Sequence, residues 1–444
     1  MTSNPEVLEL EAPPAARWIT GRLEEAGFET WAVGGAVRDE IRGVHTVDWD
    51  FATRARPSEV RRVFKRTVPV GIAHGTVGVI DRDGVLHEVT TFRKDVETDG
   101  RHAVVSFADH IEDDLSRRDF TINALAWHPL RSELLDPFGG RSDLAAGILR
   151  TVGVARDRFA EDYLRILRAL RFAGRFGLRI EGDTWTAACA SVAHLGGLSS
   201  ERIREELVKV LAAPEPPSTA LRLYRECGAL SVLYPELDAL EDAVWRDTLD
   251  VVDAVPHDDP WLRMAALLGR VGEPASSARD PDPDAVAGLK AADPVARRGV
   301  VRAAALLSRL KVSNAQLAAV TGWIAQGSVP PVDPDGPERR RWLAAAGADR
   351  LGGYAVLWRA RRRARPAEAP DPEPTIAALE RELATGAPLR VQDLAVSGRD
   401  LIREGMRPGP HFGEILDRLL AEVLEDPSLN TRETLMQRIR SRDS

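Results

Sequence analysis

Asp48 and Asp50 are separated by one apolar residue in the run Val47-Asp48-Trp49-Asp50-Phe51. In a strand, whose side chains alternate between faces, that spacing sets both carboxylates on one face and Trp49 on the other. Two like charges aimed at one point repel unless a cation lies between them, so the pair predicts a hard-cation site, with Mg²⁺ held by carboxylates and substrate phosphates. Upstream, Gly34-Gly35 allows close backbone approach and Arg38 carries a guanidinium fork suited to phosphate oxygens. Alone, the glycines read as a tight turn and the aspartates as a solvated edge strand; together in one hairpin they point to nucleotidyl transfer. Glu88 shares a face with Leu86 and Thr90 in a strand predicted from Val85 to Phe92. It is either a third carboxylate facing Asp48 and Asp50 or a solvent-facing strand glutamate.

Two later stretches add polar chemistry. In Asp114-Leu115-Ser116-Arg117-Arg118-Asp119 the charged residues precede an apolar run, Phe120 to Leu125, read as helical, so Arg118 and Asp119 would hold phosphate or ribose hydroxyls at its start. A helix predicted from about Arg158 to Phe176 carries Asp162, Arg165, Arg168 and Arg171 at i+3, with Leu164, Leu167, Leu170 and Phe172 covering the other side. Asp162 and Arg165 form an acceptor and donor template. An acceptor meets the exocyclic amino group of cytosine or adenine and a guanidinium the ring nitrogen beside it, whereas guanine and uracil present the opposite order. Standing alone, the same pair would be an ordinary ion pair on a helix surface.

The elements that must position these residues are legible in outline. A helix from Ala15 to Ala26 stops at Gly27 and leads into a strand from Phe28 to Val33. A second helix starts at Pro57, with Val60, Val63 and Phe64 as its apolar face, and strands follow at Thr67 to Val70 and Thr76 to Ile80, joined through Gly71-Ile72-Ala73-His74-Gly75. Interleaved strands and helices give a small α/β domain over the first ~130 residues. Arg93 to Glu112 is polar and reads as a mobile loop.

At 444 residues the chain exceeds one ordinary core, and its 44% hydrophobic and 29% charged composition is that of a globular protein. Cys189 and Cys227 cannot build a disulfide framework, no apolar run is long enough to span a bilayer, and the polar start lacks a signal peptide's regions. A cytoplasmic protein with no membrane partner is expected. The net charge of −8 excludes a uniformly basic nucleic-acid binder, yet Arg150 to Ile180 holds eight arginines against three acids, a local balance of +5 that predicts one face for polyanions.

Taken in order, the blocks Gly34-Gly35-Ala36-Val37-Arg38-Asp39, Asp48-Trp49-Asp50, Arg117-Arg118-Asp119-Phe120-Thr121-Ile122-Asn123-Ala124, Asp136-Pro137-Phe138-Gly139-Gly140 and Glu161 to Phe172 closely resemble the bacterial class II tRNA nucleotidyltransferases, the CCA-adding enzymes, and their poly(A) polymerase relatives. The resemblance implies an α+β chain: a small DNA-polymerase-beta-like nucleotidyltransferase head at 1–150, then all-helical neck (151–240), body (241–330) and tail (331–444) domains. It implies Asp48 and Asp50 as metal ligands; Glu88 stays the candidate third catalytic acid of the strand reading above. Gly34, Gly35 and Arg38 would hold the triphosphate, Arg118 with Asp119 the ribose and phosphates, and Asp162 and Arg165 the base, supported by Arg168 and Arg171. The implied partners are CTP, ATP and the acceptor arm and 3′ end of tRNA, and the implied cofactor is Mg²⁺ in a two-metal transfer that releases pyrophosphate. Relatives with an HD phosphohydrolase-type module place His-Asp where this chain has Gly269-Arg270, so the body is expected to be a degenerate copy, with His257-Asp258 in a turn and Ser276 to Asp284 in a loop. Arg359, Arg361, Arg362, Arg363 and Arg365 read as a solvated helix face that could also touch tRNA phosphates. Alternatives within the family are a CC-adding or A-adding enzyme of a split pathway and a poly(A) polymerase; outside enzymes, a silent tRNA-binding protein. No heptad run sets an oligomeric state.

Overall fold

The computed structural model describes residues 6–72, 75–98, 103–273, 294–326 and 335–441, without the side chains of 95–98 and 103–105. The chain divides into two compact units: residues through Glu206 together with Thr219–Leu233, and Leu207–Ser218 together with the chain from Tyr234 onward. Among the described residues no helix is long and apolar enough to cross a membrane.

The first unit is built on a sheet with strands β1 (Glu6–Val7), β2 (Thr30–Val33), β3 (Asp50–Thr53), β4 (Thr67–Gly71), β5 (Thr76–Ile80) and β6 (Leu86–Thr91). A hairpin, β7 (Arg93–Thr98) and β8 (Ala103–Phe107), forms its own two-stranded sheet, and β9 (Ala126–His128) and β10 (Glu133–Leu135) return to the main one. The order is β1-β10-β9-β2-β3-β6-β5-β4, with β3 and β6 parallel. Alternation sorts the residues cleanly. Ala32, Phe51, Val77, Val79, Val89 and Trp127 pack under helices α1 (Pro14–Glu25), α2 (Gly35–Ile41) and α3 (Pro57–Val63). Trp31, Val33, Ala52, Ala126 and Leu135 face the other way, against Ile111 and Leu115 of α4 (Ile111–Ser116).

After α5 (Gly140–Ala145), the chain forms α6 (Ala155–Glu161), α7 (Leu164–Phe176), α8 (Gly182–Ser191) and α9 (Ser200–Leu211). Phe172 of α7 packs with Phe120 and Ile122, so the helix is cored against the sheet domain itself.

Three expectations require correction. Arg93 to Glu112 is not an irregular loop: Arg93 pairs with Phe107 and Lys94 with Ser106, and the β-branched content of Val96, Thr98, Val104 and Val105 outweighs the polarity that suggested a loop. The Phe107 ring anchors the hairpin, lying under the Arg56 guanidinium at 4.7 Å and so close to Gly75 that a Cβ there would come within 2.9 Å. Phe120 to Leu125 is not a helix but a single 3₁₀ turn, Thr121–Asn123, entering β9, because the Thr121 hydroxyl bonds the Asp143 carboxylate 22 residues on and the Asn123 amide bonds back to Asp119 just ahead of the turn. The helix expected from Arg158 to Phe176 is two helices, broken at Asp162.

The second unit is helical throughout its described residues. Leu343, Tyr354, Trp358, Ile376 and Leu379 form one core; Leu401, Leu419, Val423 and Leu435 form another. In this unit the buried Arg263 donates to the carbonyls of Val255, Leu211 and Ala213 at 2.9, 2.8 and 2.6 Å. Arg270 is ion-paired with Asp247 and Glu273, and His257-Asp258 lies in a turn. Ser276 to Asp284, and Ala73-His74 of the β4–β5 link, fall outside the described residues. Arg359 pairs with Glu373 and Arg365 with Asp247, while Arg362 and Arg363 donate to backbone carbonyls, so most of that arginine run is held within the unit.

Candidate active site

At the end of β2 the backbone turns through Gly34 with φ 74° and ψ −127°, a region open to glycine, and α2 begins at Gly35. A Cβ on Gly34 would also lie 2.7 Å from Arg118 Nη1 and displace that guanidinium, whereas one on Gly35 would make only ordinary contact with Arg38 Nη2 at 3.6 Å. Arg118 is held there by donating to the Asn123 carbonyl and to Asp114 Oδ2, both at 3.2 Å, and its Nε is buried without a partner.

Across from it stand the acids. The strand proper starts at Asp50, so Asp48 lies just ahead of β3, yet the alternation holds: Trp49 and Phe51 are buried while Asp48 and Asp50 are exposed. Because Phe51 pairs with Val89 in the parallel β3–β6 ladder, Asp50 and Glu88 precede that pair on the same face. Crowding by surrounding protein, followed by the charges of Asp48 and Glu88, pushes the Asp50 carboxyl up to about 6, against the opposing pull of Arg118 and His87. Among the described residues, no side-chain hydrogen bond reaches the three carboxylates, and no three His, Cys, Asp or Glu side chains close into a metal cage. Two accessible oxygen donors and an open remainder are what a Mg²⁺ site that shares its ion with phosphate needs.

Arg38 is not turned to solvent. Its Nε and Nη2 donate to Asp39 at 2.9 and 3.0 Å, its Nη1 donates to Asn123 Oδ1 at 2.6 Å, and its guanidinium lies 4.4 Å from the Phe176 ring centroid. Asn123 in turn donates to Asp119 Oδ1 at 2.9 Å. Buried Asp119 accepts Arg168 Nε at 2.7 Å, and the pairing with Arg168 and Asn123 outweighs burial to hold its carboxyl below the usual range. Arg38, Asn123, Asp119 and Arg168 thus form one polar chain from α2 to α7.

Asp162 breaks the helix because it bonds locally: in extended backbone, its Oδ1 accepts the Leu164 N–H at 3.1 Å at the start of α7. Its Oδ2 accepts Arg202 Nη2 at 2.7 Å. Arg165 bonds Glu161 Oε2 at 2.5 Å and the carbonyls of Arg158 and Arg117 at 2.9 and 3.2 Å. Asp162 and Arg165 are therefore neighbours engaged elsewhere, not a pair with each other. Tyr163 between them stacks on His194, ring centroids 4.4 Å apart. Arg171 points into the core, donating to Glu206 Oε2 of α9 at 2.7 Å.

The structure thus groups Gly34, Arg118, Asp48, Asp50 and Glu88 at one edge of the sheet, and engages Arg38, Asp119, Arg168 and Arg171 in internal bonds. Sequence reasoning assigned no role to Asn123 and Glu161, although both lie inside the motifs it singled out. Arg202 and Glu206 lie outside every motif, and only their place on α9 brings them to Asp162 and Arg171.

The model of the Poly A polymerase head domain matches residues 30–150, that of the RNA- and SrmB-binding site of polymerase A matches 177–241, and a tRNA nucleotidyltransferase domain 2 model matches 389–439. The chain is 34% identical over 435 residues to the CCA-adding enzyme of Latilactobacillus sakei, covering 94% of this chain and 96% of the relative. It is 33% identical over 441 residues to the CCA-adding enzyme of Geobacillus kaustophilus, covering 96% and 97%. The crystal structure of the Bacillus stearothermophilus CCA-adding enzyme in complex with CTP superposes with a TM-score of 0.72 at 31% identity, over 97% of this chain and 99% of that one.

Proposed function

The chain belongs to the CCA-adding enzyme family of tRNA nucleotidyltransferases, and on that premise we propose that it completes tRNA 3′ ends with C, C and A from CTP and ATP, without a nucleic-acid template. The observation that carries this reading is the set of carboxylates that accept no side-chain hydrogen bond among the described residues, opposite a bare glycine backbone whose helix α2 is tied by one polar chain to α7, the helix that bears Arg165. Residues 1–150 act as catalytic head, 151–240 as neck, and the body (241–330) and tail (331–444) as tRNA-holding domains.

In this mechanism Asp48 and Asp50 would hold Mg²⁺, with Glu88 adding negative potential from the neighbouring strand. The chemistry the ion would supply there is acidification of the tRNA 3′-hydroxyl that attacks the α-phosphorus and neutralisation of charge on the departing pyrophosphate. Gly34 and Gly35 let the triphosphate approach the backbone at the start of α2, and Arg118 donates to it. Arg38, Asp119, Arg168 and Arg171 act as positioning residues that fix Asn123, Arg118 and α7. Asp162 accepts the exocyclic amino group of cytosine or adenine and Arg165 donates to the adjacent ring nitrogen, once Arg202 and Glu161 release them.

Extension of transcripts lacking CCA, CA or A, with each nucleotide alone and together, tests the reading. Addition of C, C and A followed by a stop is expected. A stop after two cytidines, or activity only on the transcript lacking A, would assign a split pathway.

Two further results are expected. Arg165→Ala should slow CTP and ATP incorporation together, by about 10- to 100-fold, and raise the share of UTP and GTP; selectivity at the parent level would put base reading elsewhere. Because Asp50 binds a proton up to about pH 6 in the folded chain but only to about 3.8 when unfolded, its ionisation lowers metal-free stability as pH rises through that window. Mg²⁺ should therefore raise the melting temperature at about pH 7.5 and much less at about pH 5, with the difference abolished in Asp50→Asn. An equal rise at both values would detach the metal from Asp50.

A further inference from the structure

A surface pocket of about 260 Å³ opens on the helix-covered side of the sheet, between α1, the end of α3 and the turn after β5. It is separate from the catalytic edge: Phe51 and Val89 point to this side, whereas Asp50 and Glu88, one residue earlier in each strand, point away. Val63 and Phe64 give it an apolar wall, and half-buried Trp18 stands edge-on to Phe64 with ring centroids 5.1 Å apart.

Four cationic side chains border the pocket: Arg22, Lys65, Arg66 and Arg82, all exposed. Arg22 pairs with Glu25 at 3.3 Å and Arg66 donates to the Asp81 carbonyl at 2.8 Å, but among the described residues Lys65 and Arg82 form no ion pair. The one carboxylate in the lining, Asp81, is turned inward, accepting from the backbone of Asp83 and Val85, both at 2.9 Å, and lying 3.1 Å from His87 Nε2. Residues 54–66 carry six cations against the single acid Glu59, in a chain whose net charge is −8. An aromatic wall beside unneutralised cations suits an anion with a planar heterocycle, and a concavity this small admits a small molecule rather than a duplex.

We propose that this pocket is a second nucleotide site, binding a nucleoside polyphosphate with its base against Trp18 and its phosphates on Lys65, Arg66 and Arg82. It does not rest on the catalytic assignment, since it uses none of those residues.

Equilibrium dialysis of the full chain against labelled ATP in Mg²⁺ buffer tests it. The parent is expected to bind two equivalents, and Lys65→Glu/Arg82→Glu one, with tRNA extension by the variant within about twofold of the parent because exposed charges contribute little to folding. Photolabelling by 8-azido-ATP should mark the α1 peptide in the parent and not in the variant. One equivalent in the parent with no label on the α1 peptide, or two retained in the variant, overturns the proposal. So does loss of tRNA affinity in the variant without a change in nucleotide stoichiometry, which would make the face an RNA contact.

Discussion

Asp50→Asn should abolish nucleotide transfer, lowering the single-turnover rate by about three orders of magnitude or more, while tRNA binding and the folded state persist. The substitution is nearly isosteric, and no side-chain hydrogen bond to Asp50 is lost. What goes is a charge that burial, and then Asp48 and Glu88, already disfavour, so the variant should be at least as stable as the parent above pH 6. Loss of activity with gain of stability distinguishes a group held for chemistry from one held for structure. Single-turnover extension within about tenfold of the parent, with thermal unfolding unchanged, would remove Asp50 from the catalytic set.

The largest expected effect on stability lies at Glu206. Its carboxylate, 2% exposed, takes the Arg171 guanidinium at 2.7 Å, and that guanidinium also lies 4.3 Å from the Phe172 ring centroid. Glu206→Ala leaves a buried cation without its counter-charge, a loss of about 3–5 kcal/mol, a large fraction of what holds an ordinary domain together. Denaturant unfolding followed by far-UV signal measures it. Replacing both partners, Arg171→Met with Glu206→Leu, should recover much of the loss, since the Arg171 charge is then no longer buried without its counter-charge. A midpoint for Glu206→Ala close to the parent's would mean that water or another group takes over Glu206's role.

The alternation across Asp48, Trp49 and Asp50 was legible because a strand with one buried face writes its period directly into the residue types, and burial of Trp49 and Phe51 follows it. The break at Asp162 was hidden because the apolar positions keep helical spacing through it, and the interruption depends on one carboxylate bonding the Leu164 N–H. The hairpin at 93–107 was hidden for the opposite reason: its residues are polar enough to resemble a loop, and its anchor is a contact of Phe107 with Arg56 and Gly75. Arg38 shows how far residue type alone reaches. A guanidinium after two glycines suits phosphate, but Asn123, far along the chain, claims one arm and Asp39 the other two nitrogens.

The bonds from Asp162 to Arg202 and from Arg165 to Glu161 have a consequence for fidelity on the proposed reading. At rest each reading group is saturated by an internal competitor, so every incoming base meets the same threshold. Cytosine and adenine replace both lost bonds, whereas guanine and uracil, with the opposite donor order, open two ion pairs and recover neither. Discrimination then comes from rejection before the reacting atoms meet as much as from attraction, and weakening the competitor, as in Glu161→Gln, would speed the correct addition and the incorrect one together.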